Sequence, residues 1–69
     1  MKHEEGLYEK LSIALKEKFP NAKVIEVFDE TFIYGLEENE EFSYYIVEYN
    51  IAPSGNLNIE WENAGQTNP

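Results

Sequence analysis

Apolar residues recur every fourth position at the start of this chain and every second position further on. Leu7, Leu11, Leu15 and Phe19 stand at i+4 spacing, and Tyr8 and Ala14 widen the stripe. That period predicts one amphipathic helix over residues 4–19. Glu4 and Glu5 open it and Lys16 and Lys18 close it, the charge order a helix dipole favours. Pro20 and Asn21 then stop it. After Lys23 the chain turns to β-branched and aromatic residues in alternation. The pattern predicts four strands, at 23–28, 31–37, 42–51 and 56–62. No pattern remains from Asn63 onward.

Turn chemistry sets the register. Ala52-Pro53-Ser54-Gly55-Asn56 suits a three-residue hairpin loop, with Pro53 and Ser54 in a type I turn and Gly55 as the left-handed residue. The run from Glu37 to Glu41 centres a turn on Asn39-Glu40. A third two-residue turn falls on Asp29-Glu30, where neither residue favours positive φ. These loops pair Ile51 with Leu57, Tyr49 with Ile59, Val47 with Trp61, Tyr34 with Tyr45, Phe32 with Val47, Val27 with Phe32 and Ile25 with Tyr34. All of these residues land on one face, although no hydrophobicity was used to place them. The fold class is therefore α+β: an N-terminal helix packed on one face of a four-stranded antiparallel meander, α-β-β-β-β. Residues 1–62 form the domain, and residues 63–69 are expected to be a flexible tail.

The same register lays out the uncovered face in rows. Glu26, Ile33, Ile46 and Glu62 form one. Phe28, Thr31, Glu48 and Glu60 form the next, and Val24, Gly35 and Tyr44 a third. Asn50, Asn56 and Asn58 lie beyond them. An apolar centre (Val24, Phe28, Ile33, Tyr44, Ile46) is thus expected amid glutamates. Contiguous exposed apolar surface on a small domain marks contact sites, although a mixed solvated face is also common on antiparallel sheets. Glu48 and Glu60 fall opposite each other, where like charges cost stability.

Charge sharpens the picture. The 69-residue chain carries a formal net charge of −9, and all five lysines lie in residues 1–23. Residues 24–69 hold ten of the fourteen acidic residues, all but Glu4, Glu5, Glu9 and Glu17, and no cation. Such a segment repels nucleic acid and anionic lipid and attracts basic partners. A hydrophobic content of 42% and aromatic content of 14% set it apart from a disordered acidic tail.

Chemistry is excluded more readily than assigned. With no Cys and one His, His3, there is no dependable nucleophile–base pair, no disulfide and no thiolate metal site. Glu48 and Glu60 resemble an acid–base pair only in type, because that chemistry needs a cleft that a flat sheet face lacks. Glu37, Glu38, Glu40 and Glu41 lack the ligand alternation and central Gly of a calcium loop, and read as a solvated, protruding acidic tip. Tyr34, Tyr45, Tyr49 and Trp61 have the spacing of a base-stacking platform but no interleaved Lys or Arg, so they read as core. No signal-peptide pattern and no apolar run of membrane length is present. The expectation is a cytoplasmic protein that is not an enzyme, with no cofactor and no direct contact with nucleic acid or membrane. Its function is read as a small acidic protein-binding module, an inhibitor or antagonist of a basic, nucleic-acid-acting protein such as a nuclease, a restriction or defence factor or a polymerase. Phage- or plasmid-encoded antagonists, nucleic-acid mimics and toxin-immunity proteins often have this size and charge, an argument from type rather than from a motif. The expected partner-binding residues are Glu26, Phe28, Ile33, Tyr44, Ile46, Glu48, Glu60 and Glu62 on the face, with Glu37, Glu38, Glu40 and Glu41 at the tip. The alternative is a homo-oligomer, in the simplest case a homodimer, assembled through the same face.

Overall fold

Leu11 and Leu15, one turn apart on the helix, are fully buried, and Leu7 and Phe19 pack beside them. They belong to α1 (Lys2–Lys18), the first element of a computed structural model that describes residues 2–68, with side chains from Gly6. Met1 and Pro69, the ends of the two predicted segments, and the side chains of His3, Glu4 and Glu5 lie outside the described residues. The Phe19 amide still donates to the Leu15 carbonyl at 2.7 Å, and Pro20, which has no N–H, ends the helix there.

Four antiparallel strands follow in chain order: β1 (Ala22–Val27), β2 (Thr31–Glu38), β3 (Glu41–Ile51) and β4 (Leu57–Ile59). The helix contacts β1 and roofs the face that carries Val24, Phe32, Tyr34, Val47 and Tyr49. The fold is therefore the α+β arrangement the sequence predicts. Register agrees through the middle of the sheet: Phe32 faces Val47, Tyr34 faces Tyr45, Tyr49 faces Ile59 and Ile51 faces Leu57. Ile51 itself is exposed and lies outside the core cluster, at the far end of β3.

The turns behave as their residues dictate. Gly55 has φ of 94°, and its amide donates to the Ala52 carbonyl at 2.8 Å, closing the three-residue loop. Asn39 and Glu40 have φ of 53° and 68°, the two left-handed residues of a type I′ hairpin. Asn tolerates that region; Glu does not, and left-handed backbone costs such a residue about 1–2 kcal/mol. Glu40→Gly is accordingly expected to stabilise the fold by about 1 kcal/mol, read as a higher urea midpoint; a lower midpoint would mean that the turn is of another type.

Two irregularities separate the structure from the simple meander. The first is a bulge in β1. Val27 pairs with Phe32 and Glu26 with Ile33, but Val24, not Ile25, pairs with Tyr34. The extra residue is Ile25. The bulge reverses the expected placement of two side chains: Val24 is buried beneath the helix, and Ile25 is 38% exposed on the opposite face. Two residues opposite one on the partner strand is what a β-bulge does, and it re-aims every residue that precedes it.

The second lies after β4, which ends at Ile59, three residues short of the expectation. Trp61–Asn63 form a short 3₁₀ turn, η1, and Gly65–Thr67 form β5, which pairs with β3. The segment from Asn63, expected to be a tail without structure, thus rejoins the sheet. Ile59 pairs with Tyr49 but Gly65 with Ile46, so three steps along β3 are matched by six along its neighbour. The three extra residues are η1. Trp61 does not pair with Val47 but reaches the core from η1. Its ring meets Phe19 and Tyr34 at centroid distances of 5.8 and 5.9 Å, both edge-on, the geometry aromatic pairs favour.

Two tyrosine hydroxyls tie the ends of the sheet. Tyr49 Oη donates to the Phe28 carbonyl at 2.6 Å and holds the first turn; Tyr8 Oη donates to the Val24 carbonyl at 3.3 Å, just before the bulge. Burial first, then the neighbouring Tyr45, raises the Tyr34 pKa; burial first, then Asp29, raises that of Tyr49. An acid whose folded pKa lies above its unfolded value near 10 holds its proton more tightly when folded. The fold thus keeps this contribution below about pH 10 and loses it as pH rises through the folded values. Urea midpoints are expected to be flat just below that pH and to fall above it, in step with phenolate absorbance. A midpoint that rose with pH there would contradict the assignment.

Candidate partner-binding face

The face turned away from α1 is built from alternate residues of β1, β2 and β3. Ile33 pairs with Ile46 at its centre and Gly35 with Tyr44 beside it. Neither isoleucine belongs to the core cluster under the helix. Ile33 is nevertheless only 8% exposed, while Ile46 and Tyr44 are half-buried. Phe28, just after β1, is 43% exposed.

Gly35 is the flat floor of this surface. A Cβ there would stand 3.3 Å from both Phe42 Cδ1 and Tyr44 Cε1 and 3.5 Å from Ile25 Cδ1. Three side chains therefore close over a glycine backbone, an arrangement in which large neighbours cover the gap a strand glycine leaves. The Phe42 and Tyr44 rings lie 15° from parallel at 6.1 Å, and Lys23 Nζ sits 5.7 Å from the Phe42 centroid. Lys23, which pairs with Gly35, is the cation of this face and is held over a ring at its corner.

Carboxylates flank the apolar centre. Glu26 pairs with Ile33 and is exposed. Glu48 pairs with Thr31 and accepts, at its backbone carbonyl, the Glu60 amide at 2.9 Å, so the two glutamates are neighbours at one end of the sheet. A shallow depression of about 320 Å³ there is lined by Glu30, Glu48, Glu60, Asn50 and Asn63 among others. At the opposite end the type I′ hairpin projects Glu37, Glu38, Glu40 and Glu41, all exposed, with Glu38 paired to Glu41. Like charges so placed repel and gain nothing for the fold.

The structure therefore brings together Glu26, Phe28, Ile33, Tyr44, Ile46, Glu48 and Glu60 on one face, and sets the four tip glutamates at its far end. Glu62 is not beside Ile46: it lies in η1, and the residue opposite Ile46 is Gly65. The three-residue insertion moves it. Val24 leaves the apolar centre because of the bulge, and Ile25 takes its place. Phe42, 44% exposed, is a further member. Its membership follows from the alternation through Tyr44, Ile46 and Glu48, whereas nothing in the pattern marks Ile25.

A groove of about 470 Å³ runs along the β1 edge between Leu7 and Tyr8 of the helix and Ile25, Glu26, Val27, Phe28, Asp29 and Tyr49, and so borders the open face. Among the described residues no three His, Asp or Glu side chains converge as metal ligands would, and no helix is long and apolar enough to cross a membrane. No protein-family model matches this chain, and neither a curated protein nor a solved structure matches it.

Proposed function

We propose that this protein is a small acidic binding module, an inhibitor or antagonist that occupies a basic surface of a nucleic-acid-acting protein. The observation that carries the reading is the open sheet face, with Ile25, Ile33, Tyr44 and Ile46 at its centre and Glu26, Glu48 and Glu60 around it. Its carboxylates would take the place of phosphates on such a surface and give on-rate and selectivity; the exposed Ile25 and Phe42 and the half-buried Tyr44 and Ile46 supply contact area that loses water on docking. The acidic tip adds support. Four glutamates share a tight hairpin, one of them in left-handed backbone. Local rules broken without gain to the fold are expected at functional sites. A nuclease, a restriction or defence factor or a polymerase is the class of target, as for proteins of phages and mobile elements.

The experiment is a competition. A panel of basic DNA-binding proteins is titrated with the chain in the presence of labelled duplex. Displacement of duplex from at least one of them, weakening as salt rises from about 50 to about 200 mM, supports the proposal. Displacement from none, or displacement that salt leaves unchanged, overturns it. The alternative, an isologous homodimer through the same face, would bring two chains of charge −9 together with Glu48 and Glu60 among carboxylates. A stable dimer in light scattering at micromolar concentration would favour it.

A further inference from the structure

We infer that the occupant of the open face is a basic amphipathic helix of the partner, lying across Ile25, Ile33, Tyr44 and Ile46 with its cations toward Glu26, Glu48 and Glu60. The inference rests on the proposed function above and specifies what docks there.

Both edges of the sheet are closed to a docking strand. On β1 the bulge between Val24 and Glu26 breaks the ladder, and Tyr8 Oη already donates to the Val24 carbonyl. On the other edge the pairing partners of β3 are two strands of three residues each, β4 and β5, interrupted by η1. Short, bulged edges are how sheets refuse further strands. A partner must therefore use the face, and the backbone groups of a sheet face are already spent laterally on neighbouring strands. A segment laid over the apolar centre finds no backbone partners there, so its own N–H and C=O groups must be satisfied internally. A helix does this in a single segment. It also presents a narrow apolar stripe with charges on either flank, which matches an apolar centre set among carboxylates.

Layer logic agrees. One face of this sheet is roofed by α1, and the other holds Ile33 at 8% exposure with no helix packed on it among the described residues. A helix on the second face completes a three-layer arrangement. A footprint of about 800 Å² per partner, usual for a stable complex, is within reach of a molecule measuring 38 × 22 × 20 Å. A second copy of this chain fits poorly, because its open face carries the same carboxylates and its own helix, with four Lys against four Glu, has no cationic excess to offer them.

The test uses three synthetic peptides of about 18 residues, long enough to hold a helix on docking. One has Leu and Lys at helical period, one has the same composition with Leu and Lys alternating, and one has Leu and Glu at helical period. The helical Leu/Lys peptide is expected to bind at least about tenfold tighter than either other, to gain helical circular dichroism, and to shift the amide signals of Ile25, Ile33, Tyr44 and Ile46. Ile46→Ser, at a half-buried position outside the core cluster, should weaken it about tenfold without unfolding the domain. Equal binding of the two cationic peptides, lost together at high salt, overturns the helix while leaving a cationic partner in place. Equal binding of the Leu/Glu peptide overturns the cationic partner itself. Shifts confined to α1, or dimerisation that excludes peptide, overturn the assignment to this face.

Discussion

Val24→Asp is expected to unfold the domain or to cost it more than about 3 kcal/mol, while Ile25→Asp costs less than about 1 kcal/mol. The two residues are adjacent, both β-branched and apolar, and differ only in the side of the sheet to which the bulge sends them. Val24 is 5% exposed within the core cluster, so a carboxylate there loses its water and gains no cation. Ile25 is 38% exposed on the open face, where a carboxylate stays hydrated and joins Glu26. Urea denaturation of both variants is the measurement. Equal losses, or a larger loss at Ile25, would mean that β1 pairs without a bulge, and the open face would lose Ile25.

Glu48→Lys with Glu60→Lys is expected to abolish binding of a basic target and to leave folding intact or slightly improved. The two glutamates, Glu48 in β3 and Glu60 just after β4, are exposed neighbours whose repulsion costs about 0.2–1 kcal/mol, and reversing both removes none of the buried contacts. Binding falls because two carboxylates facing cations become two cations facing cations, a juxtaposition that costs several kcal/mol. Isothermal titration beside a urea melt separates the effects. Undiminished binding would remove this end of the face from the interface, and a cooperative loss of stability would mean that the pair is part of the fold.

The central register was legible because it rests on turn chemistry. Asn39-Glu40 and the Pro53-Ser54-Gly55 loop fix the pairing of β2 with β3 and of β3 with β4, and they bring Phe32, Tyr34, Val47, Tyr49, Leu57 and Ile59 to the core face. The bulge was not legible, because Val24 and Ile25 satisfy the same alternation and either can be drawn inward. Ala22, buried two residues before Val24, holds the only hint, and a residue so small marks a face weakly. β5 was hidden for a different reason. Gly65, Gln66 and Thr67 bury little side chain, and the strand is held by backbone pairing with β3, which leaves no trace in composition. Trp61 was legible as a core residue but not as part of η1, since its ring reaches the same cluster by either route. On the face, seven of the eight expected residues lie together; Glu62 is displaced by η1.

The account stands or falls on whether the open, carboxylate-flanked face of the sheet meets a cationic partner. The direct measurement is the affinity for the tightest-binding basic protein from about 50 to about 200 mM salt, alone and with Ile46→Ser. The prediction is a steep fall with salt in both proteins, with the variant weaker by a constant factor at every salt concentration. An affinity that does not change with salt, or a variant indistinguishable from the parent, would contradict it.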